Sequence, residues 1–596
     1  MAEEKRKSWR QFQQLNFNSK KLSKRAKKAE GATLRHAHKF IIHRWENIRS
    51  VRRHVIGWLV LIGLLIAGVG IQLNWFQRSY STDAPAAGGT YAEASLGPLD
   101  TLNPLYATTS AEYSASKLLF SSLYDYDDTG NLRGDLARKM TVNPEGTVYT
   151  VSLREDAKWH DGTRLTAKDI VFTADLLKNP LTRSVIKGWQ GISVKAVDDF
   201  TVTFTLPGPI AAFSHALTFS VLPKHLLGDI APNLLRENGF GQSPVGSGPF
   251  RIRLLQIVDS ANGRKIAHMS ANKDYYRGAP KLSRFQLHVY NTTDAIAMAL
   301  RTSEVNAAAD IAADSISSID TKRYSVISRP INNGVYAFFN TKQGALKDVA
   351  VRRALQVGTN VDDVRKAVSP DVSALDLPFI TGQLTGNDIP TRPESDATKA
   401  ADMLEKAGWL KQADGKRIKD GQPLQLRITT LKGTGYEKAL ETIARQWRAI
   451  GVSVDAEVLD PTDRTVSERL QSRNFDALLY TLEIGADLNV YPFWHSSQSS
   501  QRLLNLSSYA DAVADEALSS AASSTDPQLR NAKYISFAKQ WLQDVPAIGL
   551  YQPVTYYVHA KTSQSMNPEM QLISTRDRYA DVLYWTADRA TVYKTP

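Results

Sequence analysis

Cysteine is absent from all 596 residues. That excludes a disulfide framework, a thiolate metal site, a cysteine nucleophile and a lipid-modified cysteine anchor. Net charge is also scarce over most of the chain. The formal total of +13 is concentrated in residues 1–54, where 16 Lys+Arg face only Glu3, Glu4, Glu30 and Glu46. Downstream remain 57 of the 73 basic and 56 of the 60 acidic residues, so that part is near neutral and carries no electrostatic footprint for nucleic acid. Catalytic signatures are missing as well. Four of the 11 histidines (His36, His38, His43, His54) crowd into the basic tail, and there is no HExxH. No Gly-Lys-Ser/Thr phosphate loop occurs, and Gly246-Ser-Gly248 lacks the frame of a nucleophile elbow. Asp125–Gly130 opens like a calcium loop, but its twelfth position is Leu136 in place of a bidentate acid, which predicts a polar hairpin. His160-Asp161 are sequence neighbours that do not face one another, and Gly162 points to a turn.

One long apolar run is present. Val55–Ile71 is uncharged, and with Gln72 and Leu73 it reaches a length of about 28 Å as a helix, close to the hydrocarbon thickness of a bilayer. Trp75 and Phe76 supply an interfacial aromatic pair, and the Lys/Arg excess before the run predicts a cytoplasmic N-terminus. The basic front is far longer than a secretory signal uses, and Ala84-Pro85-Ala86 lies well past the run, so an uncleaved single-pass anchor is expected. Leu34, Ile41, Trp45 and Ile48 stand at roughly helical spacing among basic residues, a pattern suited equally to anionic lipid headgroups or to a solvated tail.

Ser79–Gly89 reads as a flexible linker, and about 500 residues of mixed strands and helices follow. Thr147–Arg154 and Asp199–Leu206 alternate as half-buried strands, the second stopped by Pro207-Gly208-Pro209. Thr166–Asp169 is a capping-box start for a helix carrying Ile170, Ala174 and Leu177 on one face. Helices are predicted over 400–408 and 436–450, each ended by glycine, and a strand over 452–459. The fold class is α/β with at least two lobes.

Several ordered blocks carry a resemblance. They are Thr101-Leu-Asn-Pro-Leu105, Val151-Ser-Leu-Arg154 with Lys158-Trp-His-Asp-Gly-Thr163 and Thr166-Ala-Lys-Asp-Ile170, and Val245-Gly-Ser-Gly-Pro-Phe250. Asn272–Gly278, Phe339-Asn-Thr341, Asp348–Ala354, Pro492–Ser497 and Val545–Leu550 follow in sequence. Over about residues 90–590 the chain resembles the peptide/nickel-type extracytoplasmic solute-binding proteins of ABC transporters, solute-binding family 5. The resemblance implies a two-lobed periplasmic-binding-protein-like fold of the large class with an extra subdomain, here joined to one N-terminal transmembrane helix. The implied layout is a basic cytoplasmic tail (1–54), the helix (55–73), a linker (74–89) and a first lobe (90–119 and 198–290) with its extra subdomain (120–197). A second lobe (291–555) and a return to the first (556–596) complete it.

By the same resemblance the chain is no enzyme, needs no cofactor, and is a cell-membrane component with its main domain outside. It would capture oligopeptides by lobe closure and hand them to an ABC permease. A nickel chelate, haem, an oligosaccharide or a signalling peptide stays open as cargo, and a surface peptide or cell-wall hydrolase is the rival of another class. The family's peptide binders place an aspartate after a strand ending near Gly-Trp to meet the ligand's α-ammonium, which maps to Asp487, with Ile484 where tryptophan is expected. Thr108, Thr109 and Ser110 match a ligand-facing loop, and Trp189 and Trp494 are candidate pocket walls. The blocks themselves are expected to be structural, Gly246 and Gly248 permitting a tight turn.

Overall fold

The computed structural model describes residues 45–432, 435–460, 463–500 and 503–593. Residues 1–44 of the tail, with Leu34 and Ile41, lie outside the described residues, while its last residues, from Trp45, belong to the first helix. Helix α1 (Trp45–Tyr80) contains Arg52–Phe76, a stretch of mean hydropathy 2.3 that is long and apolar enough to cross a membrane by length and composition. Residues 85–590 form one compact unit, distinct from the one that contains α1.

Within residues 85–590, β1 (Thr90–Leu96) and α2 (Ser110–Leu119) open the first lobe. Strands β2 (Ala137–Val142) and β3 (Val148–Leu153), helix α3 (Ala167–Lys178), and strands β4 (Ser193–Asp198) and β5 (Thr201–Thr205) then make the subdomain. Its antiparallel sheet runs β2-β3-β5-β4. In β3, Tyr149, Val151 and Leu153 turn inward while their neighbours stay half-exposed, the alternation of a sheet covered on one face. The capping box between Thr166 and Asp169 forms as the sequence predicts. The chain returns to the first lobe through β6 (Phe250–Asp259), β7 (Arg264–Ala271), β8 (Arg284–Tyr290), β9 (Ala307–Ala308) and β10 (Tyr324–Pro330).

The second lobe holds β11 (Asn333–Phe339), β12 (Ser373–Ala374), β13 (Gln425–Leu431), α4 (Tyr436–Ala449), β14 (Ser453–Leu459) and β15 (Ala477–Glu483). Helices α5 (Ala512–Ser523) and α6 (Pro527–Asp544) and strand β16 (Ala547–Gln552) complete it. Its sheet order is β12-β16-β11-β15-β13-β14. Strands β11 and β16 are nearly continuous apolar runs because separate cores press on both faces of this sheet. Strand β17 (Val554–Ala560) then crosses back and inserts between β10 and β9 in a first-lobe sheet ordered β10-β17-β9-β1-β8-β7-β6.

These pairings correct the expected boundaries. β9 and β10 belong to the first lobe, so the second begins near 333 and not at 291. The subdomain sheet includes β5, so its edge falls beyond 205 and not at 197. Two short segments join the lobes, and they are tied together: Ile331 N donates to Pro553 O (3.2 Å), and Gln552 Nε2 donates to Ile331 O (3.0 Å). The C-terminal return is locked by Glu93, fully buried in β1, which accepts from Arg578 Nη2 (2.7 Å) and Tyr557 Oη (2.9 Å).

Candidate functional site between the lobes

The lobes meet where the subdomain approaches α5 and α6. Ala211 N donates to Ala522 O (3.1 Å), and a Cβ at Gly146 would stand 2.9 Å from Thr525 Cγ2. Farther along, Lys438 pairs with Asp314 (2.8 Å).

Asp487 sits in the loop after β15. That loop is fastened at its start, where Ile484 N and Gly485 N both donate to Asn332 O, while Gly485 O accepts from Asn332 Nδ2 and Gln383 Nε2. Gly485 takes φ +77°, a conformation glycine adopts without strain. The carboxylate is not free: Arg530 Nη2, from the first turn of α6, donates to Oδ1 (2.8 Å) and Oδ2 (3.2 Å), and Asn489 N donates to Oδ2 (3.1 Å). The two charged side chains are only 14 % and 16 % exposed, so their mutual attraction is weakly screened. The guanidinium also lies 5.9 Å from the centroid of the buried Tyr534 ring.

Tyr126 and His215 of the first lobe, with Tyr126 Oη and His215 Nδ1 2.9 Å apart, lie within electrostatic reach of Asp487. Burial pushes the His215 imidazole below its ordinary pKa, and Arg530 adds to this against the pull of Asp487. Burial and nearby carboxylates push the Tyr126 phenol upward. Beside Tyr126 opens a cavity of about 240 Å³ lined by Tyr113, Lys117, Asp125, Phe219 and Arg576. A more apolar groove of about 640 Å³ in the second lobe runs past Leu470, Leu478, Leu482, Phe493 and Leu504.

Of the residues singled out in the sequence, Asp487 is the one brought to the gap with a charged partner. Thr108, Thr109 and Ser110 serve helix α2. Thr109 Oγ1 accepts from Glu112 N (3.1 Å), Glu112 accepts from Thr108 N and Thr109 N in return, and Ser110 Oγ donates to Asp310 (3.0 Å). Trp189 and Trp494 are packed in cores and do not wall the gap. Trp189 stands edge-on behind Phe219 at 4.9 Å, and Trp494 stacks on Phe338 at 5.6 Å with none of its surface exposed. Ile484 is buried as well, its Cδ1 3.0 Å from where a Cβ on Gly334 would lie.

The motif blocks around His160 and Gly246–Gly248 clasp each other. His160 Nδ1 accepts from Gly246 N (3.2 Å) and its Nε2 lies 3.0 Å from Gly248 O, which fixes the Nε2–H tautomer. Neither glycine takes positive φ, contrary to the tight-turn expectation. They are small because a Cβ at Gly246 would fall 1.9 Å from Leu119 O, and one at Gly248 2.6 Å from Leu119 C. The polar hairpin at 127–131 forms as expected, with Asp127 Oδ1 accepting from Thr129 N and Asn131 N. Arg530, Tyr126 and His215 went unnoticed in the sequence. Arg530 lies 43 residues from Asp487 and reads there as an ordinary helical cation.

Residues 131–502 match the family model described as bacterial extracellular solute-binding proteins, family 5 Middle. The oligopeptide-binding protein AppA of Bacillus subtilis is 28 % identical over 512 residues, covering 83 % of this chain and 92 % of AppA. The solved structure of that protein in complex with a nonapeptide superposes with a TM-score of 0.70 at 25 % identity, over 84 % of this chain and 99 % of that one. NikZ from Campylobacter jejuni in complex with Ni(L-His) shares the fold at a TM-score of 0.71 and 23 % identity, over 83 % and 99 %. These are solute-binding proteins and not enzymes. With a family match across well over half of its length and the same two-lobed architecture, the chain belongs to the family 5 bacterial extracellular solute-binding proteins.

Proposed function

We propose that this protein captures short peptides between its lobes outside the cell and delivers them to an ABC permease, held at the membrane by α1 with its basic tail in the cytoplasm against anionic lipid. The observation that carries the binding site is the Asp487–Arg530 pair of the second lobe, set against Tyr126 and His215 of the first. Groups drawn from both lobes converge there, so a ligand bridging them favours the closed arrangement by its differential affinity. The likeness to an oligopeptide-binding protein over most of both chains supports peptides as cargo. The apolar length of Arg52–Phe76 and the positive tail before it support the anchor and its orientation.

The test is a melting scan of the full chain in detergent micelles against a mixture of short peptides. Saturation at 100 times Kd adds about 2.7 kcal/mol to stability, which appears as a clear rise in Tm. Asp487→Ala removes one partner of a desolvated pair and is expected to weaken binding by about 2 kcal/mol or more. No rise with any peptide counts against the cargo, and undiminished binding by the variant removes Asp487 from the site.

A further inference from the structure

We propose that Asn332 is a positioning residue at the hinge: its side chain rivets the loop that carries Asp487 to the crossing strand. The chain then bends on the N-terminal side of the Asn332 Cα, and the loop swings with the second lobe as a preformed unit. This deepens the peptide-capture reading, and its consequence for ligand binding rests on that reading.

The passage from one core to the other is abrupt. Ile331 is buried in the first-lobe core with Leu572, and Val335 is buried in the second-lobe core. Asn332, between them, bonds to both sides. Its N–H donates to Ile573 O (3.1 Å), in the C-terminal return to the first lobe. Its C=O accepts from Ile484 N (2.9 Å) and Gly485 N (3.0 Å), and its Nδ2 donates to Gly485 O (3.0 Å), at the start of the loop that leads to Asp487. The other crossing, Gln552-Pro553-Val554, contains a proline whose ring fixes φ and stiffens it.

Bond rotation decides how Asn332 yields. Turning about its φ carries the side chain and the C=O together, so the bonds to Ile484 and Gly485 survive. What gives way is the tight turn bond from Asn333 N to Ile331 O (2.7 Å). Turning about its ψ shears the C=O away from the side chain and breaks the clasp. Ile484 is buried in the second-lobe core, so the clasped loop start cannot follow the first lobe. Without the side chain, ψ is no longer held and slack at Gly485 passes to Asp487, two residues on. Gly485 O still accepts from Gln383 Nε2 (3.0 Å), so losing Asn332 Nδ2 strands no carbonyl and leaves the fold intact.

Hydrogen exchange on the ligand-free full chain in detergent micelles reads the rivet directly. Asn332→Ala, with an unchanged circular-dichroism spectrum, should raise exchange over residues 484–490 about tenfold or more, while β11, β15 and β16 stay within about twofold of wild type. Asn332→Asp keeps the shape but loses the donor, and should do the same. Oligo-alanines from the trimer to the nonamer, titrated by calorimetry, should bind both variants about tenfold more weakly than wild type, mainly through faster dissociation. Unchanged exchange over 484–490, or a rise shared equally by β11 and β15, overturns the rivet. A loosened loop with undiminished oligo-alanine binding overturns its part in positioning Asp487. If the wild-type chain binds none of the series, that counts against peptide capture, and the exchange result still decides the rivet.

Discussion

At the scale of the residue, His160 shows how one tautomer ties two distant loops. Burial, reinforced by the nearby Arg251 charge, holds its pKa down to about 4 against the opposing pull of the Gly248 carbonyl and Asp161. A folded-state pKa below the unfolded value of about 6.5 means that the native state prefers the neutral ring. The stabilisation is therefore complete above pH 6.5 and is lost as pH falls from there toward 4, by about 3 kcal/mol in all. Denaturant titrations from pH 7 to 4 should show this slope, and His160→Gln should flatten it. A wild-type profile parallel to that of the variant would exclude His160 as its source. Motif order made this loop visible in the sequence, but not its partner. Asp487 was likewise legible from its place after a strand, whereas Arg530 was not, because helical periodicity says nothing about which loop a helix end will meet.

Among the elements, α2 depends most on its cap. Glu112 gathers the N–H groups of Asp100, Thr101, Thr108 and Thr109, while Thr109 Oγ1 takes the N–H of Glu112. Thr109→Ala should cost about 1 kcal/mol, the usual worth of an N-cap. Glu112→Ala strands several donors at once and should cost about 2–3 kcal/mol in urea unfolding. Equal losses for the two would show that the carboxylate does no more than the hydroxyl. Periodicity and stop signals located the individual elements well. The helix expected over 436–450 spans Tyr436–Ala449, and the strand expected over 452–459 spans Ser453–Leu459. Assignment to lobes was the weak point. β10 and β11 are two residues apart and both extended, yet they enter different sheets, and nothing in a local pattern distinguishes them.

At the scale of the whole molecule, the two lobes differ in how the chain builds them. The second lobe's sheet is drawn from one uninterrupted stretch, from β11 to β16, whereas the first lobe's sheet needs β17 threaded between strands made more than 200 residues earlier. Long-range pairing of this kind is slow to form. Pulsed hydrogen exchange during refolding should therefore protect the amides of β11, β15 and β16 before those of β1 and β9. Simultaneous or reversed protection would overturn this order.

The strand inserted last also sets a clock on biosynthesis. At about 5–20 residues per second, translation needs roughly 10–45 s to travel from the end of β10 to the start of β17. Through that interval the ribosome carries a half-made sheet with a vacant slot beside β9. The nascent lobe is then at its most open to chaperones, and to mispairing with neighbouring chains.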